Sequence, residues 1–464
     1  MIHSKVSSTL HSLIKEIRDH PDDFLHFEPK EILNRQELYT RTRGKVEEYS
    51  KGIKRMQWST EYFNKDDKTW INFKSYFERL SAKYSILNRC FQAIKNEYQL
   101  NEQEVHSTLG AFLYYVLFKN EKYILDETII ELVTVFINDL NKTAPEWKIK
   151  LWIKGIWLND EIIDVSNELT IRKPVNDDFV LEQPSYSYFS SMISATIDSC
   201  DSIIEIRKKF EDENAMEDYL TKLIQSLRLY NLGAVQVNRR EYKPNSILLR
   251  YGVPYSLDIH SFFQYEVTSK ESNDIRAFLD FMLDFLPPMN WASKIQDQNP
   301  IYISIERYSE AITKSMAVEN KITTAITALE ALLLKANERS ELSHKLSQRV
   351  SYLSQYFKYP PIKVYNVMKR AYEIRSTYIH GSMLGPTERK DLGEIQNQIL
   401  NLLRRILLIF IGLSKLILKD ELIAKIDNAI IDRNANEKLV KELMRADFLK
   451  LTAYNTGFEF ESTN

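Results

Sequence analysis

From about residue 303 to residue 420 the chain runs one apolar helical stripe after another, separated by short breaks. No other feature constrains the fold as strongly. Ile322, Ile326, Leu329 and Leu333 recur at three- and four-residue intervals, and the spacing predicts a long helix over Glu306–Lys335. A second is predicted over Leu342–Tyr356. Pro360-Pro361 then forces a break, since neither residue has an amide to donate and each restricts its predecessor. A third helix, Val364–His380, should stop near Gly381, whose missing Cβ suits a left-handed cap, and a fourth should run from about Thr387 to Lys419. Four helices with short connections make a bundle.

Upstream the pattern divides in two. Residues 1–145 read as a helical region, with Leu10, Ile14 and Ile17 on one stripe and Ile129, Leu132, Val133, Phe136, Ile137 and Leu140 on another. Asn141–Pro145 breaks that rhythm, and from Trp147 the period becomes two: Trp147, Ile149, Leu151 and Ile153 alternate with Lys148, Lys150, Trp152 and Lys154. Further strand-like pieces at Val235–Asn238 and Ser246–Arg250, with a helix over Tyr219–Tyr230 before them, give a small α+β module at 146–300. The bundle takes 301–420, and 421–464 reads as a polar, weakly helical tail. The expected class is mainly α, and α+β overall; 11 Gly and 13 Pro in 464 residues agree with long regular elements.

A formal net charge of −2 excludes a chain-wide basic field of the kind that binds nucleic acid by charge alone. Cys90 and Cys200 cannot build a disulfide framework, and no Cys or His lies at metal-ligand spacing, so neither metal nor cofactor is expected. Asp177-Asp178 is expected to be a solvated loop pair. The apolar run Ile406–Leu413 is far shorter than the ~20 residues of a bilayer span. With a polar start at Met1–Lys5, the expectation is a cytoplasmic protein without membrane contact.

Charge is nevertheless concentrated. Residues 335–405 hold 13 Lys or Arg against six Asp or Glu. Lys345, Arg349, Lys369 and Arg370 are the candidate phosphate contacts, with a merely solvated helix surface as the alternative. Arg375-Ser376-Thr377-Tyr378-Ile379-His380-Gly381 lies in the same segment. A guanidinium can clamp a phosphodiester, and an imidazole can take a proton from a 2′-OH or return one to the leaving oxygen. RNA supplies its own nucleophile, so no Ser or Cys is needed. Ser376 is one turn before His380 and could orient it, whereas Arg375 sits about 140° around an ideal helix from the imidazole. Arg339 and His344 repeat the spacing, but Arg339 belongs to a polar loop. Glu330 is expected to ion-pair near Arg375, and Tyr372 and Tyr378 to serve as core or dimer-interface residues, with base stacking on single-stranded RNA as the alternative.

Three segments of this region carry a family resemblance. Ala325–Leu333 and Lys345–Leu353 look like the first and second bundle helices of the ApeA-like branch of the HEPN superfamily. Ala371-Tyr372-Glu373-Ile374-Arg375-Ser376-Thr377-Tyr378-Ile379-His380-Gly381 resembles its hallmark. The resemblance covers about 305–420. It implies a HEPN-type four-helix bundle and a metal-independent endoribonuclease acting as a homodimer, with products ending in 2′,3′-cyclic phosphate and 5′-OH. By position it makes Arg375 and His380 the active pair and Ser376 the polar residue beside the arginine. It also implies a toxic effector of anti-phage, abortive-infection defence, with RNA as substrate and a phage-derived trigger or an antitoxin as a further partner. A non-catalytic HEPN module that binds RNA or protein is the alternative.

Overall fold

The computed structural model describes residues 5–20, 24, 77–118, 126–175, 178, 200–249, 263–289, 299–381, 385 and 389–445, and the backbone alone at 38–49 and 53–64. The expectations for Asp177 and for the end of the tail (446–464) lie outside these residues. The chain is mainly α-helical with a small antiparallel sheet.

The N-terminal region builds its own core. Helix α1 (Lys5–Asp19) buries Val6, Leu10, Leu13, Ile14 and Ile17 against α2 (Ser85–Tyr98), which contributes Leu87, Cys90, Phe91 and Ile94. α3 (Glu102–Phe118) and α4 (Asp126–Leu140) complete it, the latter through Ile129, Val133 and Phe136. This region is not wholly helical as expected. Strands β1 (Leu38–Tyr49) and β2 (Ile53–Asn64) pair as an antiparallel hairpin, with Leu38 opposite Asn64 and Tyr49 opposite Ile53. Their β-branched and aromatic content (Thr40, Thr42, Val46, Trp58, Thr60, Tyr62) favours extended backbone over helix.

The central sheet has the order β5-β6-β7-β3-β8, all neighbours antiparallel. Its middle strand β3 (Glu146–Lys154) buries Trp147, Ile149, Leu151 and Ile153 on one face, as the period-two pattern requires. Trp152, on the opposite face, is buried as well, beneath the Arg239 guanidinium at 4.1 Å. β7 (Ser202–Lys209) flanks β3 on one side; β6 (Leu169–Arg172) and the short β5 (Ile162–Asp164) follow outward. β8 (Gln236–Pro244) flanks the other side and takes in the predicted piece from Gln236 to Asn238, whereas Ser246–Leu249 forms no strand and Arg250 lies outside the described residues. β4 (Ile156–Leu158) pairs separately, in parallel, with β9 (Tyr265–Val267).

Helix α5 (Glu213–Tyr230) packs beside this sheet and starts earlier than predicted, because Asp212 caps it by accepting from the Ala215 amide at 2.8 Å. Its other end explains how module and bundle join. The last carbonyls of a helix have no partners within it. Here the Tyr265 hydroxyl donates to Leu227 O at 2.9 Å and the Tyr308 hydroxyl to Arg228 O at 3.0 Å. Arg404 donates to Leu229 O at 3.1 Å and Tyr230 O at 3.3 Å. Burial pushes the Arg404 pKa down to about 10, so it stays cationic near neutrality, facing the negative end of the helix dipole. One continuous apolar core therefore crosses the expected boundary at residue 300.

Among the described residues the bundle has five α-helices before its C-terminal additions. The single helix expected over Glu306–Lys335 is two, α7 (Pro300–Thr313) and α8 (Val318–Leu333), following α6 (Ser272–Phe285). Folding back lets Ile301, Ile305, Tyr308 and Ile312 share a core with Ile322, Ile326, Leu329 and Leu333, which one straight rod could not achieve. α9 (Leu342–Ser354) and α10 (Pro361–Ile379) fall close to their predicted spans, and α11 (Leu392–Leu413) starts later than Thr387 and is buried on nearly every side. No helix among the described residues is long and apolar enough to cross a membrane. The first part of the expected tail is helical and docked. α12 (Lys419–Ile431) and α13 (Arg433–Arg445) are packed helices that bury Leu422, Ile423, Ile426, Leu439 and Leu443.

Candidate active site

α10 begins at Pro361, where a missing amide costs nothing, and seats Val364, Met368, Ala371 and Ile374 in the core. It ends at His380, whose backbone N–H donates to Ser376 O at 3.1 Å. Gly381 follows at φ +71°, with nothing within 4 Å of where a Cβ would stand, so backbone conformation rather than space favours glycine there. The imidazole at the cap is exposed, as are Tyr378 and Ile379 beside it.

Arg375 is held from two sides. Its Nη2 donates to Glu330 Oε2 on α8 at 3.0 Å, and its guanidinium stands 5.1 Å from the Tyr372 ring centroid. The side chains of Arg375 and Glu330 are 22% and 17% exposed. Burial, reinforced by the Glu330 charge, raises the Tyr372 hydroxyl pKa and keeps it protonated. The ion pair expected for Glu330 is present, and Tyr372 doubles as a platform for the arginine. Among the described contacts none joins Arg375 to His380, in keeping with their separation around the helix. The hydrogen bond between Ser376 and His380 runs through the backbone.

The basic candidates fare unequally. Arg349 is corrected: it is interior. It donates to Glu338, Asp427 and Leu333 O at 2.7–2.8 Å through all of its N–H groups, and offers RNA nothing. Arg404 and Arg405 are also buried, so the 13 basic residues of this segment overstate its surface charge. Lys345 lies 3.4 Å from Glu338 but remains partly exposed. Arg370 is shared between Glu373 at 3.5 Å and Asp391 at 3.6 Å. Lys369 is exposed, its Nζ 6.0 Å from the Tyr365 ring. In the second Arg–His copy Arg339 is exposed on the loop, and His344 Nδ1 lies 2.9 Å from the Tyr365 hydroxyl. Tyr365 was not singled out by spacing, although it sits one turn before Lys369.

Asp178 is a second correction, being buried rather than solvated. It accepts from Arg172 at 2.6 and 2.7 Å, from Lys150 at 2.9 Å and from the Val175 amide at 2.8 Å. Burial alone would raise its pKa; Arg172, Val175 and Lys150 together bring it down to about 2. Among the described residues no three His, Cys, Asp or Glu side chains are grouped to hold a metal ion. No protein-family model, curated protein or solved structure matches this chain.

Proposed function

We propose that the protein is a metal-independent endoribonuclease of the HEPN type, with Arg375 and His380 as its active pair and Ser376 beside them. The observation that carries this is the anchoring of Arg375 between the Glu330 carboxylate and the Tyr372 ring, on the helix whose cap is an exposed imidazole. A guanidinium fixed from behind meets a phosphodiester at a smaller ordering cost than a free surface arginine. In the reaction the 2′-oxygen bonds to phosphorus, the bond from phosphorus to the 5′-oxygen breaks, and the 2′-OH proton passes to an imidazole. The departing oxygen gains a proton, leaving a 2′,3′-cyclic phosphate and a 5′-OH. His380 acts as base or acid, and Arg375 offsets charge on the non-bridging oxygens. One imidazole cannot take and give a proton in a single step, so the proposal includes a homodimer whose two pairs face one phosphate. Its proposed setting is abortive-infection defence, with residues 1–300 answering a phage-derived trigger or an antitoxin.

One observation favours a non-catalytic module that binds RNA or a protein partner: Glu330 already neutralises Arg375, and no described contact brings His380 to it. Purified protein and total RNA separate the two. Catalysis predicts cleavage that persists in a chelator and yields cyclic phosphate ends. His380→Ala should lower the rate about 10²- to 10⁴-fold and Arg375→Ala about 10²- to 10³-fold. Variants that cut as well as the parent protein would sink the enzymatic assignment.

A further inference from the structure

At 100° per residue Tyr365, Lys369, Tyr372, Ser376 and His380 fall within an arc of about 80° on α10, spanning about 22 Å of its length. The stripe lies away from the buried face formed by Val364, Met368, Ala371 and Ile374; Lys369 and His380 are exposed, and the other three half-buried. One tyrosine ring, that of Tyr365, therefore stands at the far end of a polar stripe that ends at the candidate active imidazole, while Tyr372 packs against the core and carries the Arg375 guanidinium. The distal ring is fixed: its hydroxyl meets His344 Nδ1 at 2.9 Å, and the two rings pack edge-to-face at 6.1 Å. Charge agrees with a polyanion: α10 carries Lys363, Lys369, Arg370 and Arg375 against a single carboxylate of its own. That carboxylate, Glu373, is drawn aside to Arg370. Arg370 and Arg375 also meet Asp391 and Glu330 from neighbouring segments, so the phosphate contact falls chiefly to Lys369.

We infer that this stripe is a docking track for single-stranded RNA, leading an unpaired strand from Tyr365 to His380. The inference rests on the ribonuclease proposal for the identity of its ligand. Sequence-tolerant single-strand surfaces combine a basic path with aromatic faces for unstacked bases, and a duplex keeps its bases inside, where half-buried rings cannot reach them. Lys369 supplies a phosphate contact. Tyr365 supplies the distal base platform and His344 positions it.

The test uses the full-length protein carrying His380→Ala, with labelled oligoadenylate as probe and the same strand annealed to oligouridylate as control. Oligoadenylate should bind with a marked salt dependence. Lys369→Gln should weaken binding and flatten the slope of log K against log salt by about 0.7, the share of one phosphate contact on a single strand. Tyr365→Leu should weaken it about tenfold, the usual scale for one stacked base, and leave duplex binding unmoved. Absence of oligoadenylate binding, equal preference for the duplex, or unchanged binding in both variants would overturn the track. Should Tyr365→Leu melt early, the exposed Lys369 substitution decides alone. The two proposals fail separately. RNA cleavage by the parent protein with unaffected track variants removes the track only, while loss of binding in those variants without parental cleavage removes the nuclease only.

Discussion

Arg349 and Arg375 sit on neighbouring helices of the same bundle, and each is paired with a glutamate from elsewhere in the fold, yet they are in opposite conditions. Arg349 spends five hydrogen bonds on two carboxylates and a carbonyl, and its side chain is 3% exposed. Arg375 gives an Nη2 N–H to Glu330, rests against the Tyr372 ring, and leaves its buried Nε without a hydrogen-bond partner. A saturated guanidinium is a rivet; one that gives a single N–H to a carboxylate and rests on a ring keeps terminal N–H groups for an incoming anion. In a bundle this basic, the number of N–H groups already engaged separates structural arginines from candidate functional ones better than local charge density does.

The sharpest way to break this contrast is Arg349→Ala. It strands Glu338 and Asp427 without their partner, and unfolding by denaturant should register a loss of about 3–5 kcal/mol, the usual range for a broken buried pair. Arg375→Ala should cost far less stability, about 1 kcal/mol or under, since its pair is partly exposed. If the two variants destabilise equally, the distinction between rivet and poised group fails.

Acid should reveal the saturated clusters first. The Arg349 hydrogen bond, against a smaller effect of burial, holds the Glu338 pKa at about 2, and Asp178 is likewise held at about 2. Both folded values lie below the unfolded ones, near 4, so their stabilisation is complete above that pH and drains away as pH falls towards 2. Melting temperature should therefore drop steeply below about pH 4. Asp178→Asn, which has no carboxylate to protonate there, should show a shallower decline; an unchanged profile would remove Asp178 from the account.

The smallest effect belongs to Glu330→Gln. It retains an acceptor for Arg375 but removes the charge that competes with phosphate. RNA affinity at low salt, measured in the His380→Ala background, should rise severalfold, a change of about 1 kcal/mol. Weaker binding would mean that Glu330 serves to present Arg375 rather than to restrain it.

How much of this was legible beforehand depends on the distance over which each cause acts. Val364, Met368, Ala371 and Ile374 announce α10 by their spacing, and Pro361 and Gly381 bracket it, because propensity, capping and amphipathicity are local. The 38–64 hairpin was missed since polar alternation is a weak signal beside apolar periodicity. The break between α7 and α8 was missed since both halves keep one rhythm. Burial of charge was not legible at all. Arg349 needs Asp427, 78 residues away, and Arg404 needs carbonyls about 175 residues upstream. Counted along the chain these look like surface cations. Glu330 is the exception: its place in the first bundle helix predicts an ion pair near Arg375, and the pair forms at 3.0 Å.

The capping of α5 has a practical consequence for anyone who would cut this chain in two. A fragment starting near residue 300 would keep Arg404 in the midst of the greasiest helix while discarding the oxygens that neutralise it, and Tyr308 would lose its acceptor too. The excised C-terminal piece would thus inherit a stranded positive charge at its centre.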